Sequence, residues 1–320
     1  MKILVTGCAG LIGSHLCDIL IEKGHTVIGC DNEAFSDGSN IKHLIDNPQF
    51  TYMKYHLTDM WPVLSVLDGV DAIAHLAAYK KAPGNSNTNS SDVMRENMKM
   101  VEAVVEIAKK HDTKVLFTST SDVYSNHETF KESDPITIGP PTIERYSYAV
   151  SKYFDEQLLL NYHAEGAFEV VIARIFGCFS ERSNKGWSGG HVPIFIDKCL
   201  NGEDIIVHGN GEQTRSMSYA PDIAQGLYDM LITDGLGGEI INIGTDEEMS
   251  VIDSARMIRD LTGKKSAIKL VDSNTVHGDY PEIKKRFANI EKAKKLINYK
   301  INYKTEDAIK KVIDDWKSKM

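Results

Sequence analysis

Lys2-Ile3-Leu4-Val5-Thr6-Gly7-Cys8-Ala9-Gly10-Leu11-Ile12-Gly13 opens the chain and decides how the rest of it is read. Ile3, Leu4 and Val5 make a short apolar run, which predicts a buried strand. Glycines then recur at every third position. Beyond them, Leu11, Ile12, Leu16, Ile19 and Leu20 carry the period of a helix. Strand, glycine turn and helix start together present bare backbone N–H groups, which suit a pyrophosphate. The spacing is G-x-x-G-x-x-G rather than G-x-G-x-x-G, and glycine turns before helices are common. The motif therefore needs support from further along the chain.

That support comes from Thr26-Val27-Ile28-Gly29-Cys30, a second predicted strand, which ends at Asp31 and Asn32. An acid roughly 20 residues past the glycines is where a dinucleotide fold holds the adenosine ribose. A carboxylate there repels a 2′-phosphate, so the cofactor expected is NAD rather than NADP. The alternative is that Asp31 merely opens a loop.

With 320 residues the chain is one large domain or two intimate ones, long enough for a sizeable core. A net charge of −9 argues against non-specific nucleic-acid binding. Lys284, Lys285, Lys292, Lys294 and Lys295 are interrupted by acidic and apolar residues, as on a solvated helix face. The five cysteines are scattered, with no C-x-x-C pair, so neither a disulfide scaffold nor a metal site is expected. No leader is read before the first strand, and no apolar run nears the ~18 residues of a membrane span. A soluble, cytoplasmic protein without membrane or nucleic-acid partners is the expectation.

Further strands are predicted at 50–53, 71–78, 114–118 and 169–174, with helices at 92–110 and 148–162 between them. Such alternation implies an α/β fold, a Rossmann-like doubly wound parallel sheet that binds ligands at the carboxyl ends of its strands. Past Arg174 the pattern loosens. A Gly-, Ser- and Asn-rich loop at 177–190 leads to a helix at 192–200, strands at 204–207 and 239–244, and helices at 251–262, 291–297 and 306–317. The reading is an NAD-binding domain over 1–175 and a smaller C-terminal substrate-binding lobe over 176–320, some of whose segments return to the first domain.

Tyr148 and Lys152 lie four apart at a helix start, hence on one face. A phenol with a pKa near ~10 is a poor base at neutral pH. A nearby ammonium and a positively charged nicotinamide would lower that value and let Tyr148 take a hydroxyl proton. Tyr146 has the wrong spacing for this. Alone, Tyr-x-x-x-Lys is a chance pattern in many helices. Thr118-Ser119-Thr120-Ser121-Asp122-Val123-Tyr124 follows the fifth strand and offers hydroxyls and a carboxylate to a substrate. It also reads as a hydroxyl-rich turn with Asp122 as a cap.

Together with Leu57-Thr58-Asp59, His75-Leu76-Ala77-Ala78 and Gly209-Asn210-Gly211-Glu212-Gln213-Thr214-Arg215, these motifs run in one order along the whole chain. The chain so resembles an extended short-chain dehydrogenase/reductase, of the NAD-dependent nucleotide-sugar epimerase/dehydratase family. The resemblance implies Tyr148 as catalytic base, Lys152 as its partner and nicotinamide-ribose contact, and Thr120 as the hydroxyl bridging the sugar C4 oxygen. It implies cofactor contacts at Gly7, Gly10, Leu11, Ile12, Gly13, Asp31, Asn32, Asp59, Leu76, Ala77, Ala78 and Lys80. Ser121, Arg215 and Arg286 are implied substrate contacts, the arginines toward the diphosphate or sugar, and Asn97 has a structural role. A homodimer through helices 92–110 and 148–162 is implied as well. Three departures stand out: Gly177 replaces a usual asparagine, Ser216 and Pro221 replace usual aspartates, and Ser125 stands where glycine is common.

Family members all begin by oxidising C4 of the sugar to a ketone. An epimerase then needs only Tyr148, Thr120 and room for the ketone to turn. A 4,6-dehydratase or a uronate decarboxylase has a glutamate at the position of Asp122, and the decarboxylase an arginine comparable to Arg286. Asp122 is one methylene shorter, and reach matters within the ~3 Å of a proton transfer. The expected activity is thus a UDP-hexose or UDP-hexuronate 4-epimerase. The alternatives are a decarboxylase or dehydratase that uses Asp122, and remotely a non-catalytic NAD-binding protein.

Overall fold

The computed structural model describes residues 1–59, 65–80, 89–125, 127–185, 190–272 and 283–320. Its first part alternates as the sequence predicts. β1 (Lys2–Thr6), α1 (Leu11–Glu22), β2 (Thr26–Asp31), β3 (Phe50–Lys54) and β4 (Ala72–His75) are followed by α2 (Ser90–His111), β5 (Lys114–Thr120), α3 (Ser147–Ala164) and β6 (Val170–Ile175). The fourth strand is shorter than the predicted 71–78. It stops at His75, and Leu76, Ala77 and Ala78 lie beyond it without regular structure.

β7 (Cys178–Phe179), α4 (His191–Leu200), β8 (Ile205–His208), β9 (Thr214–Arg215) and β10 (Ser218–Tyr219) come next. They lead into α5 (Ala220–Ile232), β11 (Ile240–Ile243), β12 (Met249–Ser250), α6 (Val251–Thr262), β13 (Ile268–Val271), β14 (Lys285–Arg286), α7 (Glu291–Ile297) and α8 (Thr305–Ser318). α5 was not predicted. Pro221 disguises it, yet proline is tolerated in a first helical turn, where its missing N–H has no intrahelical partner. The predicted loop over 177–190 contains β7, and its residues 186–189 lie outside the described residues.

The central sheet has seven parallel strands in the order β11-β6-β5-β4-β1-β2-β3. β11 thus brings a late segment back to the sheet, where Ile240 pairs with Ile172. The order reverses at β1 and β4, the position at which such sheets open a crevice for a ligand. Successive side chains of β1 point to opposite faces: Ile3 and Val5 join Leu16 and Leu20 of α1 and Leu227 of α5, while Leu4 packs with Val101 and Val104 of α2. A third core, with Phe195, Ile196, Val207, Ile258 and Ile309, lies among α4, β8, α6 and α8. Among the described residues, no helix is long and apolar enough to cross a membrane.

Candidate functional site

A cleft of about 2390 Å³ runs along the carboxyl ends of the strands from Gly7 to Arg286, and a side cavity of about 140 Å³ opens beside Asp31 and Ala77. At the first end the shape is set by missing side chains. A Cβ on Gly13 would stand 2.1 Å from the carbonyl oxygen of Gly7, and one on Gly7 would stand 2.7 Å from the Ala77 nitrogen. Gly7 also has φ of +72°, the left-handed region. Gly10 occupies the N-cap of α1 and has no side chain to bond the first N–H groups of the helix, an end of a helix that favours an anion.

Asp31 ends β2 and accepts from the Ala9 N–H at 3.0 Å and the Glu33 N–H at 2.8 Å. Burial raises its carboxyl above the ordinary value, and the two N–H groups oppose that shift. Asn32 shares the side cavity with Asp31 and accepts from the Ala34 N–H at 3.0 Å. Leu76, Ala77 and Ala78 form its opposite wall. Asp59 lines neither cavity, although Leu57 of the same short turn does. The backbone cradle and the ribose-facing acid fit a dinucleotide; Asp59 adds nothing to that fit here. Asn97 is buried and bonds the Tyr79 backbone at both ends, 2.7 Å from its N–H and 3.1 Å from its carbonyl, and also Ser151 Oγ at 3.0 Å. That pins α2 and α3 to the chain after β4.

At the far end the site is made of charge. Arg286 donates from Nη1 to Asp122 Oδ1, and Lys80 Nζ lies 3.7 Å from Asp122 Oδ2. Burial pushes the Asp122 carboxyl up, but Arg286, Lys80 and Arg145 outweigh it and hold the group well below the usual carboxylate range. Lys80, expected beside the cofactor, is thus part of this cluster, its ammonium 4.9 Å from the centre of the Tyr148 ring. Arg286 is tied to a carboxylate rather than standing open for a diphosphate. Arg215 is its register partner across the β14–β9 ladder and lines the same cleft, with Nη1 2.7 Å from the Thr214 carbonyl oxygen.

Thr120 and Ser121 are buried at the end of β5. The Thr120 hydroxyl accepts from the Asp122 N–H at 3.2 Å, which leaves its proton to donate into the cleft. Tyr148 departs from expectation. Burial, then Asp122 and Asp155, raise its phenol above the ordinary value, whereas a lowered one was predicted from Lys152 together with a positively charged nicotinamide. Lys152 is buried, its ammonium 4.2 Å over the Phe117 ring, and burial pulls its proton affinity down against Asp155 and Glu156.

Several lining residues escaped the sequence reading. Arg182, reaching Asp18 of α1 at 2.5 Å, and Arg145 have no local pattern to mark them. Met217 fills the space that Gly177 leaves: a Cβ on Gly177 would meet its Sδ at 2.7 Å. The missing asparagine side chain is therefore replaced by a thioether from another strand-end, a pairing that no spacing reveals.

A glycine cradle with an acid at the end of β2, joined to a Tyr–Lys pair along one cleft, is an arrangement that fits a dinucleotide. A profile of the NAD dependent epimerase/dehydratase family matches residues 3–244, and the chain belongs to that family. NAD is its cofactor. The chain is 32% identical over 315 residues to a UDP-N-acetyl-alpha-D-glucosaminuronate decarboxylase of Bacillus cytotoxicus, with 98% of this chain and 96% of that protein covered. It is 30% identical to UDP-glucuronic acid decarboxylase 1 of Arabidopsis thaliana, with 100% of this chain and 71% of that protein covered. The UDP-glucuronic acid 4-epimerase of Bacillus cereus, solved with UDP-glucuronic acid and NAD, superposes with a TM-score of 0.88 at 27% identity, with 100% of both chains covered.

Proposed function

We propose that the chain is a 4-epimerase of a UDP-hexuronate. The carrying observation is Asp122, held ionised among Arg286, Lys80 and Arg145. A dehydratase needs an acid for the departing hydroxyl, and a decarboxylase needs a proton delivered to C5. A carboxyl held far below its usual range is a poor donor for either at neutral pH. Epimerisation at C4 asks nothing of Asp122. The same cluster argues for a uronate: Arg286 and Lys80 both act on the one carboxylate of Asp122, and a second carboxylate on the substrate suits that pair of cations.

In this reading Tyr148 takes the proton of the C4 hydroxyl, Lys152 supports the phenolate as an ammonium, and Thr120 donates a hydrogen bond to the C4 oxygen. Ser121 and Arg286 face the sugar, and Arg215 the diphosphate, where a guanidinium fork suits phosphate oxygens. Gly7, Gly10, Leu11, Ile12 and Gly13 hold the cofactor's pyrophosphate and Asp31 its ribose. NAD, when bound, supplies a hydride acceptor and donor for C4 and adds positive charge to the site. That charge offsets the burial and the carboxylates that raise the Tyr148 phenol.

The division at residue 175 into a cofactor domain and a substrate lobe belongs to this proposal, and so does a homodimer. Met94 and Met98, one turn apart on α2, and Phe154 on α3 are exposed apolar side chains that a second copy would cover. A monomeric mass at micromolar concentration would overturn the dimer.

Decarboxylation is the second reading, supported by the activities of the Bacillus cytotoxicus and Arabidopsis thaliana relatives. The test is incubation of the NAD-loaded protein with a panel of UDP-hexoses and UDP-hexuronates, read by mass spectrometry and NMR. Unchanged mass with inverted C4 is expected for UDP-glucuronate, and loss of carbon dioxide would favour the second reading. No change in any substrate would overturn both. Tyr148→Phe is expected to lower turnover by about 10²–10⁴-fold while the protein stays folded and binds NAD.

A further inference from the structure

Behind the Tyr148–Lys152 pair, α3 carries a carboxylate that the reaction as described does not use. Asp155 is wholly buried, and both its side-chain oxygens lack a hydrogen-bond partner among the described residues. It stands one helical turn from Lys152. The next residue, Glu156, is already committed: Arg174 of β6 grips it with two bonds of 2.9 and 2.7 Å, both side chains buried. The four groups form one buried cluster in which Arg174 balances Glu156. The remaining negative charge, on Asp155, is the one left for Lys152.

We propose that Asp155 is a positioning residue for the reaction, the buried counter-charge that keeps Lys152 an ammonium beside Tyr148. The proposal rests on the catalytic reading of that pair. Burial alone favours a neutral lysine, and the groups opposing it are Asp155 first and Glu156 second. Asp155 in turn is raised well above its ordinary value, by burial first and also by Glu156, against the opposing pull of Lys152, so the charge on each of the two depends on the other. The other titratable groups around the pair are His75 of β4, whose imidazole is kept neutral by burial and by Lys152, Asp122 after β5, which acts on Tyr148, and Lys80 after β4, whose ammonium lies 4.9 Å from the centre of the Tyr148 ring. Asp155 also raises the Tyr148 phenol, but after burial and Asp122, and from two turns away rather than one. Because Coulomb energy falls with distance, its effect on Lys152 prevails.

The test compares the NAD-loaded wild type with Asp155→Asn and Asp155→Glu. In protein carrying isotope-labelled lysine, the Cε resonance that disappears in Lys152→Met reports ammonium against amine with no substrate present. Its titration midpoint is expected to fall by about one pH unit or more in Asp155→Asn and to return toward wild type in Asp155→Glu. In the same variants, the alkaline limb of the kcat profile for UDP-glucuronate is expected to move down by a similar interval, with KM and NAD content unchanged. An unmoved Lys152 midpoint in a folded Asp155→Asn overturns the proposal, and so does an equal shift in both variants. Should the wild type turn over no substrate, the resonance still decides the role of Asp155, and only the catalytic reading falls.

Discussion

At the β1–α1 turn the cleft is shaped by what three residues lack, whereas around Asp122 it is shaped by charged side chains that meet from residues 80, 122, 145 and 286. The cradle is local: Gly7, Gly10 and Gly13 lie within one turn, and their contacts are with backbone atoms that cannot move aside. The far end is assembled by topology. β14 must pair with β9, and the chain after β4 must lie beside the turn after β5, before any of its charges are neighbours. A backbone site tolerates no added atom; a charge cluster tolerates exchange of its members so long as the balance is kept.

The largest expected effect is at the cradle. Gly13→Ala puts a carbon 2.1 Å from a carbonyl oxygen, and relief requires the turn itself to shift. A cost of about 3 kcal/mol or more is expected, with loss of the rise in melting temperature that NAD confers on the wild type. Gly24→Ala is the control. Gly24 has φ of +81° but no atom within 4 Å of an added Cβ, so only backbone strain of about 1–2 kcal/mol applies, and NAD binding persists. Equal behaviour of the two variants would break the distinction between a cradle and an ordinary glycine turn.

Asp122→Asn tests the far end. Turnover of UDP-glucuronate is expected within about tenfold of wild type; a loss of 10²–10⁴-fold would make Asp122 a general acid or base instead. The variant also has a stability signature. In the folded chain the Asp122 carboxyl lies below its ordinary value of 3.8, so the unfolded chain takes up the proton first. The pair's contribution is whole at neutral pH and is lost as pH falls through 3.8 and below, and Asp122→Asn should lose that part of the acid limb in melting curves.

Between the two ends lies the Gly177–Met217 contact. Gly177→Asn drives a Cβ to 2.7 Å from Met217 Sδ and 3.2 Å from the Ser216 carbonyl oxygen. A loss of about 1–3 kcal/mol is expected in chemical denaturation. Met217→Ala should recover part of it in the double variant, because the two sites share one space. Additive losses would show that the backbone contact with Ser216, not the thioether, sets the limit.

How much could be read beforehand follows the same division. The seven-residue span from Gly7 to Gly13 and the acid at Asp31 were legible because their causes are local: a turn, a helix start, a strand end. The alternation of strands and helices through β6 was legible from periodicity. α5 was hidden by Pro221, and β11 was seen as a strand but not as an edge of the main sheet, since pairing order leaves no local trace. At the site, Tyr148, Lys152, Thr120 and Asp122 were visible as motif residues. Their electrostatics were not: the raised phenol of Tyr148 comes from burial and from carboxylates before and after it in the chain, and the place of Lys80 depends on where the chain goes after β4.

The smallest expected effect lies where the two regions join. Ser125 closes the turn that carries Asp122, with φ of +50° and ψ of −119°, and its N–H donates to the Asp122 carbonyl oxygen at 3.1 Å. That backbone conformation belongs to glycine, and a residue with a Cβ held there costs about 1–3 kcal/mol. Glycine would relieve the strain but lose more freedom on folding, about 0.5–1 kcal/mol. Ser125→Gly is therefore expected to stabilise the protein by about 1 kcal/mol, a rise of about 2 °C in Tm. The turn hydrogen bond is made by backbone, so kcat should stay within about twofold of wild type. A stabilised variant that loses turnover would mean that strain at Ser125 holds the turn from Thr120 to Asp122 in its working place. The charged end would then depend on backbone as closely as the cradle does.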